Sequence, residues 1–248
     1  MSTGKNRKRL DVLILERGLA PSREKAQAMI LAGEVLLNGV KASKAGQTVA
    51  TEACIEIRSR LQKYASRAGF KLEGALDDFF IEPTGRICLD LGSSNGGFTD
   101  CLLQRGAVRV YAVDVNIDQL DWKLRQDLRV VTIKKNAREL STRDLPEAVG
   151  LIVADVSFIS VTKILPAVVP LALPAGDFLI LIKPQFESQR DDIGPGGIVS
   201  DTNVHQKAIE SVRSAALVLG LNVLGVKPSK LAGAEGNLEY FLHARKGG

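Results

Sequence analysis

The sequence predicts an α/β protein in two parts: a small α+β module, then a larger domain whose parallel sheet is covered by helices on both faces. Its 248 residues are 45% hydrophobic and 25% charged, the composition of a chain that closes a packed core. After residue 63, apolar segments of strand length alternate with helical patterns, which is typical of parallel sheets. The first 63 residues follow a different and more basic pattern.

Several protein classes are excluded by the signals that the sequence lacks. No apolar run approaches the ~20 residues of a membrane-spanning helix, and the stretch Phe178 to Ile182 has only strand length. The basic N-terminus has no hydrophobic core of a signal peptide. Cys54, Cys88 and Cys101 form an odd set without a CxxC pair, so neither a disulfide framework nor a metal site is indicated. We therefore expect a cytoplasmic chain with no membrane partner.

The positive charge is concentrated in the first quarter of the chain. Residues 1–63 contain 12 basic and 6 acidic residues, a net charge of +6, whereas the remaining 185 residues contain 21 basic and 22 acidic ones. A compact basic module joined to a neutral domain predicts binding to a polyanion. A solvated charged surface is the competing interpretation.

The basic module has recognisable helix and hairpin signals. Leu10, Leu13 and Ile14 have helical spacing before Gly18, and Pro21-Ser22 opens a second helix that ends near Gly33. Glu34 to Val40, with Asn38-Gly39 at its centre, predicts strands joined by a tight turn. The basic residues that fall off the apolar stripes are candidate phosphate contacts: Arg9, Arg17, Arg23 and Lys25.

Residues 9–57 resemble the S-four-like RNA-binding domain, the α-L motif of ribosomal and RNA-modifying proteins. The resemblance is carried by the spaced elements Arg-Leu-Asp, Arg-Gly-Leu, Ser-Arg and Asn-Gly. It implies structured RNA as a partner and implies no chemistry, because this module is attached to many different enzymes. We predict domains over 1–60 and 61–248, with a short linker at about 59–64.

The larger domain has its chemistry-bearing residues at predicted strand ends. The predicted strands are 86–91, 109–114, 129–133, 151–155, 178–182, 222–226 and 239–244. Ligands of parallel sheets bind at the carboxyl ends of the strands. The first strand leads into a glycine-rich segment that contains the candidate cofactor contacts Asp90, Gly92, Ser93, Asn95, Gly96, Gly97 and Phe98.

The glycine-rich segment predicts a nucleotide-like cofactor. Its glycines allow a sharp turn and a close backbone approach to a ligand, but their spacing is not the GxGxxG of dinucleotide sites. Asp114, at the end of the next strand, is placed to accept hydrogen bonds from ribose hydroxyls. The segment has no lysine or arginine, which favours the adenosyl part of S-adenosylmethionine over a pyrophosphate. Asn136 and Ala137 would lie at the adenine edge, although Asn136 is equally consistent with a turn residue.

Four charged residues form a candidate catalytic constellation. Asp155 and Lys183 follow apolar strands, Lys71 lies on the helix before the first strand, and Glu239 opens the last strand. Each alone is consistent with a structural ion pair, but four together near a cofactor pocket favour catalysis. Arg67, one turn before Lys71, is a further candidate RNA contact.

These motifs resemble the TlyA family, historically described as hemolysins, over nearly the whole chain. The resemblance is carried by the segments 64–72, 90–99, 154–160, 183–187 and 236–241. It implies a Rossmann-like class I S-adenosylmethionine-dependent methyltransferase domain of the FtsJ type, acting on cytidine 2′-hydroxyls of ribosomal RNA or ribosomal subunits. The family's Lys-Asp-Lys-Glu tetrad falls on Lys71, Asp155, Lys183 and Glu239. In this interpretation Lys183 is nearest the 2′-oxygen, Asp155 and Glu239 orient it, and Lys71 positions the ribose or phosphate.

Two other functions compete with methylation. A non-catalytic RNA-binding factor in ribosome assembly would need no tetrad, and a membrane-lysing hemolysin would need a spanning or strongly amphipathic segment.

The segment Ser188–Asp201, with Gly-Pro-Gly-Gly near its centre, is either a substrate-responsive lid or an ordinary connection.

Overall fold

The computed structural model describes residues 7–57, 63–233 and 236–247, which divide into two compact units, 1–63 and 64–248. The predicted α/β fold with a small N-terminal module is confirmed. The predicted linker at about 59–64 falls mostly on residues 58–62, outside the described residues, and the domain boundary stays a prediction.

The first unit combines two short helices with two small sheets. Its elements are β1 (Arg7–Arg9), α1 (Leu10–Glu16), α2 (Arg23–Leu31), β2 (Val35–Leu37), β3 (Val40–Lys41), β4 (Thr48–Ala50) and β5 (Ile55–Ile57). The order β3-β2-β5 forms one antiparallel sheet, and β1 pairs with β4 in the other. Ser22 caps α2 by accepting a hydrogen bond from the Lys25 backbone N–H, as the sequence predicts. Strand β1 was not predicted, because its residues have no apolar pattern.

The core of the first unit is built from its own residues. The helical stripe of Leu10, Leu13 and Ile14 packs with Ala26 and Ile30 of α2. At the β2–β3 turn both central residues, Asn38 and Gly39, have positive φ, the conformation that an Asn-Gly hairpin favours.

The second unit is a seven-stranded sheet with helices on both faces. Its elements are α3 (Ala68–Phe79), β6 (Ile87–Leu91), α4 (Gly97–Gln104), β7 (Arg109–Asp114), α5 (Trp122–Gln126), β8 (Val130–Lys134), β9 (Val149–Ala154), α6 (Leu165–Val168), β10 (Ala172–Ile182), α7 (Pro184–Glu187), α8 (Thr202–Val218), β11 (Leu221–Pro228) and β12 (Tyr240–Lys246). The strand order is β11-β12-β10-β9-β6-β7-β8.

The sheet is mixed rather than wholly parallel, which corrects the prediction. Strand β12 runs antiparallel to both β10 and β11, whereas β10, β9, β6, β7 and β8 are parallel. A change of direction leaves the apolar pattern of a strand unaltered, so periodicity could not reveal it. Two residues that the predicted strands include lie just outside the observed ones: Asp155 follows β9 and Glu239 precedes β12.

Alternate residues of each central strand enter two separate cores. In β10, Phe178 and Ile180 pack in one core with residues of α6 and α8, whereas Leu179 and Leu181 pack in the other with residues of α3 and α4. This double burial produces the unbroken apolar run that marked the strand in the sequence. The polar residues that follow the parallel strands lie at the carboxyl edge of the sheet.

A buried carboxylate joins two strands and the segment before a third at the opposite edge of the sheet. Asp177 of β10 accepts hydrogen bonds from Arg86 at 2.6 Å and from His243 and Arg245 at 2.9 Å each. Burial by itself would raise the pKa of Asp177, but these bonds outweigh it and hold the pKa well below its usual range. The cluster therefore ties β10 to its neighbour β12 and to the segment before β6.

We expect Asp177→Ala to lower the free energy of unfolding by about 3 kcal/mol, because it leaves the partners of a buried carboxylate unpaired. Since the folded pKa is depressed, the contribution is present above the unfolded value near 3.9 and is lost as pH falls towards the folded value. Urea denaturation at pH 7 and at about pH 3 checks both points, because the difference between wild type and variant should shrink in acid. An equal difference at both pH values would contradict the assignment.

Candidate active site

The carboxyl edge of the parallel strands brings Asp155 and Lys183 together. Asp155 directly follows β9, Lys183 directly follows the neighbouring β10, and their side chains form an ion pair with Nζ–Oδ1 of 2.6 Å. Lys183 also donates a hydrogen bond of 2.9 Å to Ser157 Oγ. Two adjacent parallel strands thus place a lysine, a carboxylate and a hydroxyl at one point.

The other two members of the tetrad form a second ion pair. Lys71 Nζ of α3 lies 2.5 Å from Glu239 Oε2, and the side chains are only 8% and 3% exposed. The other Glu239 oxygen lies close to Gly233, where an added Cβ would come within 2.6 Å of it. The tetrad is therefore two pairs: Asp155 contacts Lys183, as expected, whereas Glu239 contacts Lys71.

The glycine loop, residues 92–98, connects β6 to α4. Gly92 has φ +79°, and a Cβ there would lie 2.4 Å from the carbonyl oxygen of Asp155. Gly96 has φ +92°, and its Cβ would lie 2.3 Å from a methyl group of Leu124. Both positions have the positive φ of the sharp turn that the sequence predicts, and it is protein atoms that approach them closely in this structure.

A cavity joins the glycine loop to the Lys183–Asp155 pair. It is lined by Gly92 to Asn95, Gly97 and Phe98 of the loop, by Ser66 and Ala68, and by Asp155, Ser157 and Lys183. Five predicted cofactor contacts therefore share one cavity with two predicted catalytic residues. The remaining five predicted cofactor contacts, Asp90, Gly96, Asp114, Asn136 and Ala137, do not line it.

Asp90 and Ser93 carry buried polar atoms without a partner among the described residues. Asp90 is fully buried in β6, where Oδ2 accepts a hydrogen bond of 2.6 Å from Thr99 while Oδ1 is unpaired. Burial raises the pKa of Asp90 to about 7, and the nearby charges of Asp155 and Asp114 act in the same direction. The Ser93 hydroxyl is likewise unpaired. Of the two residues only Ser93 lines the cavity, where a polar ligand would supply the missing partner of its hydroxyl.

Asp114 and Asn136 have structural contacts at their strand ends. Asp114 accepts hydrogen bonds from the backbone N–H groups of Ser94 at 2.9 Å and Asn116 at 2.8 Å, which anchors the glycine loop. Asn136 accepts a bond of 3.1 Å from the Arg138 N–H and so caps a short turn that includes Ala137. The observed contact of Asn136 Oδ1 is therefore that of a turn residue, one of the two roles considered for it.

Ser157 and Phe186 are neighbours of Lys183 that were not predicted from the sequence as site residues. Ser157 binds the lysine directly, and Phe158 is 92% exposed with φ +64°, its ring 5.3 Å from that of Phe186. The Lys183 ammonium lies 5.7 Å from the Phe186 ring. Ser157 and Phe158 lie in the segment 154–160, which carries the family resemblance, but the sequence does not show that Phe158 is exposed at a strand end.

The loops after β9 and β10 are linked to each other. Glu187 accepts hydrogen bonds from Ser160 Oγ at 2.5 Å and from the Val161 N–H at 2.8 Å. Burial raises the pKa of the Glu187 carboxyl above its usual range. This contact joins the segments that carry Asp155 and Lys183.

The segment 188–201 is also held by side chains next to the tetrad. Buried Asn237 accepts a hydrogen bond from the Val199 N–H and donates one to the Gly197 carbonyl, each 2.9 Å long. His205 contacts the Val199 carbonyl at 2.8 Å and the Tyr240 hydroxyl at 2.9 Å. These hydrogen bonds fix the segment in place, as in an ordinary connection between elements rather than a lid.

The predicted RNA contacts are exposed, and each of the four arginines is held by a hydrogen bond. In the first unit Arg9 and Arg23 bind Asp11, Arg17 binds the carbonyls of Ala53 and Thr51, and Lys25 lies on the exposed side of α2. In the second unit Arg67 donates to the carbonyl of Ala232 at 2.8 Å.

The described residues contain neither a metal-binding cluster nor a membrane-spanning helix. Among residues 7–57, 63–233 and 236–247, no group of three or more His, Cys, Asp or Glu side chains is arranged to hold a metal ion. Within the same ranges, no helix combines the length and the apolar character needed to cross a membrane.

Comparison with known proteins identifies the family. The FtsJ-like methyltransferase model matches residues 64–246, and the S4 domain model matches residues 8–53. The 16S/23S rRNA (cytidine-2′-O)-methyltransferase TlyA of Mycobacterium tuberculosis is 44% identical over 241 residues, which are 96% of this chain and 90% of that protein. The chain belongs to the TlyA family. The predicted family and the predicted methyltransferase class are thereby confirmed.

Other TlyA-family relatives carry the older name. Hemolysin A of Brachyspira hyodysenteriae is 43% identical, covering 95% of this chain and 98% of that protein. A solved structure described as a hemolysin from Streptococcus thermophilus has a TM-score of 0.74 and 39% identity, covering 98% of this chain and 90% of that one. The TlyA family thus joins an S4 domain to an FtsJ-like methyltransferase domain over nearly the full length of this chain.

Proposed function

We propose that this chain transfers the methyl group of S-adenosylmethionine to the 2′-hydroxyl of a cytidine in ribosomal RNA, in the cytoplasm. The observation that carries the proposal is the single cavity that combines the glycine loop with the Lys183–Asp155–Ser157 cluster. A methyl donor in the loop and a hydroxyl at the cluster would be neighbours there. The M. tuberculosis relative, whose name states this reaction, supports the same substrate.

The glycine loop offers the chemistry that S-adenosylmethionine needs. The unpaired hydroxyl of Ser93, which lines the cavity, suits a polar group of the cofactor, and the half-buried Asp114 carboxylate is an acceptor for ribose hydroxyls. Asn95, Gly97 and the other cavity residues of the loop would surround it. When bound, the cofactor supplies a methyl group on an electrophilic sulfonium.

Lys183 is placed to engage the acceptor oxygen. An ammonium has three N–H donors, of which Asp155 and Ser157 occupy two, so one donor is left for the 2′-oxygen. Held in this way, Lys183 would orient the hydroxyl and stabilise negative charge on the 2′-oxygen while the hydroxyl proton passes to solvent and the oxygen–methyl bond forms. Alignment of the two reacting groups supplies a further part of the rate, up to ~7–11 kcal/mol in favourable systems.

The Lys71–Glu239 pair has a separate role in this proposal. A lysine that is 8% exposed and paired with a buried carboxylate is held in one geometry. We assign to Lys71 the positioning of the substrate ribose or phosphate, and to Glu239 the fixing of Lys71. Arg67, exposed one turn earlier on the chain, extends the positive surface for RNA.

We expect Asp114→Ala to weaken S-adenosylmethionine binding about tenfold or more, since it removes a charged acceptor and releases the Ser94 N–H that it holds. Isothermal calorimetry of the full chain measures this. Asp118→Ala, which removes an exposed carboxylate four residues further on, is the matched control and should keep wild-type affinity. Unchanged affinity in Asp114→Ala would refute the ribose assignment.

A further inference from the structure

A buried carboxylate in the first unit holds two exposed arginines. Asp11, in the first turn of α1, has a side chain that is 0% exposed, whereas those of Arg9 and Arg23 are 48% and 46% exposed. Asp11 Oδ1 accepts hydrogen bonds from Arg9 Nε and the Val12 N–H at 3.0 Å each. Its Oδ2 accepts from Arg9 Nη2 and Arg23 Nε at 2.9 Å and from Gln27 Nε2 at 2.8 Å.

These five bonds use the full acceptor capacity of one carboxylate, about four lone-pair sites. The hydrogen bond from Arg9, assisted by those from Gln27 and Arg23, holds the pKa of Asp11 well below its usual range despite burial. Asp11 therefore stays ionised, and its oxygens are occupied by protein donors rather than directed at a ligand.

The bonds to Asp11 leave much of both guanidinium groups unused. Among the described residues Arg23 binds Asp11 through its Nε, so both of its terminal nitrogens remain for two oxygens of a phosphate group. Arg9 binds through Nε and one Nη2 hydrogen and keeps its Nη1 group. Its terminal nitrogens also rest close to Gly46, where an added Cβ would lie 3.2 Å from each, so this guanidinium is confined on a second side.

We propose that Asp11 is a positioning residue that fixes Arg9 and Arg23 as one preorganised site for the phosphate backbone of RNA. The inference rests on the proposed function, which makes RNA the partner of this unit. The cluster keeps a net positive charge, because two guanidinium groups share one carboxylate. Fixed side chains lose less conformational entropy when phosphate binds, which strengthens binding without an added charge.

The sign of the effect separates positioning from simple charge. Removing an acidic group near RNA should by itself tighten binding, because the net positive charge rises. If Asp11 positions the arginines, Asp11→Asn should instead weaken binding about tenfold and lower the slope of log affinity against log salt by about 1 for each phosphate that is no longer bound. Glu24→Gln, an exposed acid of α2, removes the same charge and should bind as well as wild type or better.

The experiment is filter binding of purified ribosomal RNA to the full chain across a KCl series, with circular dichroism to verify folding. The double variant Asp11→Asn with Arg23→Lys should lose little more affinity than either single variant, since both changes disable one site. A purely structural role for Asp11 would instead give additive losses.

If Asp11→Asn is unfolded, the binding of Arg23→Lys alone decides. A lysine keeps the charge but cannot bind Asp11 and chelate a phosphate together, so it should weaken binding. Lys44→Arg, at an exposed lysine of the same unit that is not among the candidate phosphate contacts, should not.

The outcomes distinguish the positioning role from the proposed function. Tighter or equal binding by Asp11→Asn, or equal binding by Arg23→Lys, would overturn the positioning role while leaving the RNA-binding function intact. Absence of RNA binding by the wild-type chain would overturn the proposed function itself.

Discussion

Replacing Lys183 with alanine is expected to reduce single-turnover methylation of ribosomal RNA by at least about a hundredfold. Lys183 has one donor beyond its bonds to Asp155 and Ser157, and that donor would act on the 2′-oxygen mainly as charge develops in the transition state. Turnover should therefore fall far more than affinity. Calorimetry with S-adenosylmethionine and filter binding with RNA should both give near wild-type values.

Two further variants define what Lys183 does. Arginine stays charged at any workable pH, so substantial activity in Lys183→Arg would exclude obligatory proton removal by this residue and favour alkoxide stabilisation. A base role instead predicts a single-turnover rate that rises with pH and levels off once the lysine is neutral. Lys207→Ala, at an exposed lysine of α8, is the matched control and should be fully active. Near-normal turnover by Lys183→Ala would defeat the assignment and make Lys71 the next residue to test.

Removing residues 1–60 is expected to leave S-adenosylmethionine binding largely intact and to abolish most activity on ribosomal RNA. The two units have separate cores, so the methyltransferase unit keeps its own packing. The deletion nevertheless removes nearly all of the basic excess, which lies within 1–63, together with the S4 domain. Because phosphate contacts dominate RNA affinity, kcat/KM on ribosomal RNA should fall by about a hundredfold or more at physiological salt.

Measured at low and at physiological salt, the deletion also tests the docking role. The full chain should lose activity steeply as salt rises, whereas the isolated second unit should depend on salt less, since it binds fewer phosphates. Equal efficiency of the two proteins would show that the first unit is not the docking element. RNA binding by the full chain without any methylation would favour the competing role as a ribosome-assembly factor.

The local features of the fold could be predicted because they depend on neighbours in the sequence. Periodic apolar residues placed α1, α2 and the strands of the central sheet to within a few residues, except that β10 begins six residues earlier than predicted. The inner strands β6 and β9 and the second half of β10 are easily recognised because both faces are buried, which favours apolar residues throughout. Asn38-Gly39 and Ser22 likewise act through contacts only a few residues away.

The sequence by itself determined the two-part architecture, the α/β class, the glycine loop and the family, and it predicted the four residues of the tetrad. Only the tertiary structure decided three other contacts: Lys71 with Glu239, Lys183 with Ser157, and Asp11 with both Arg9 and Arg23. The antiparallel course of β12 belongs to the same group. Lys71 and Glu239 are 168 residues apart, and a contact across such a distance depends on strand order and direction. Burial constrains which residue types occupy a strand, but not which other strand lies beside it.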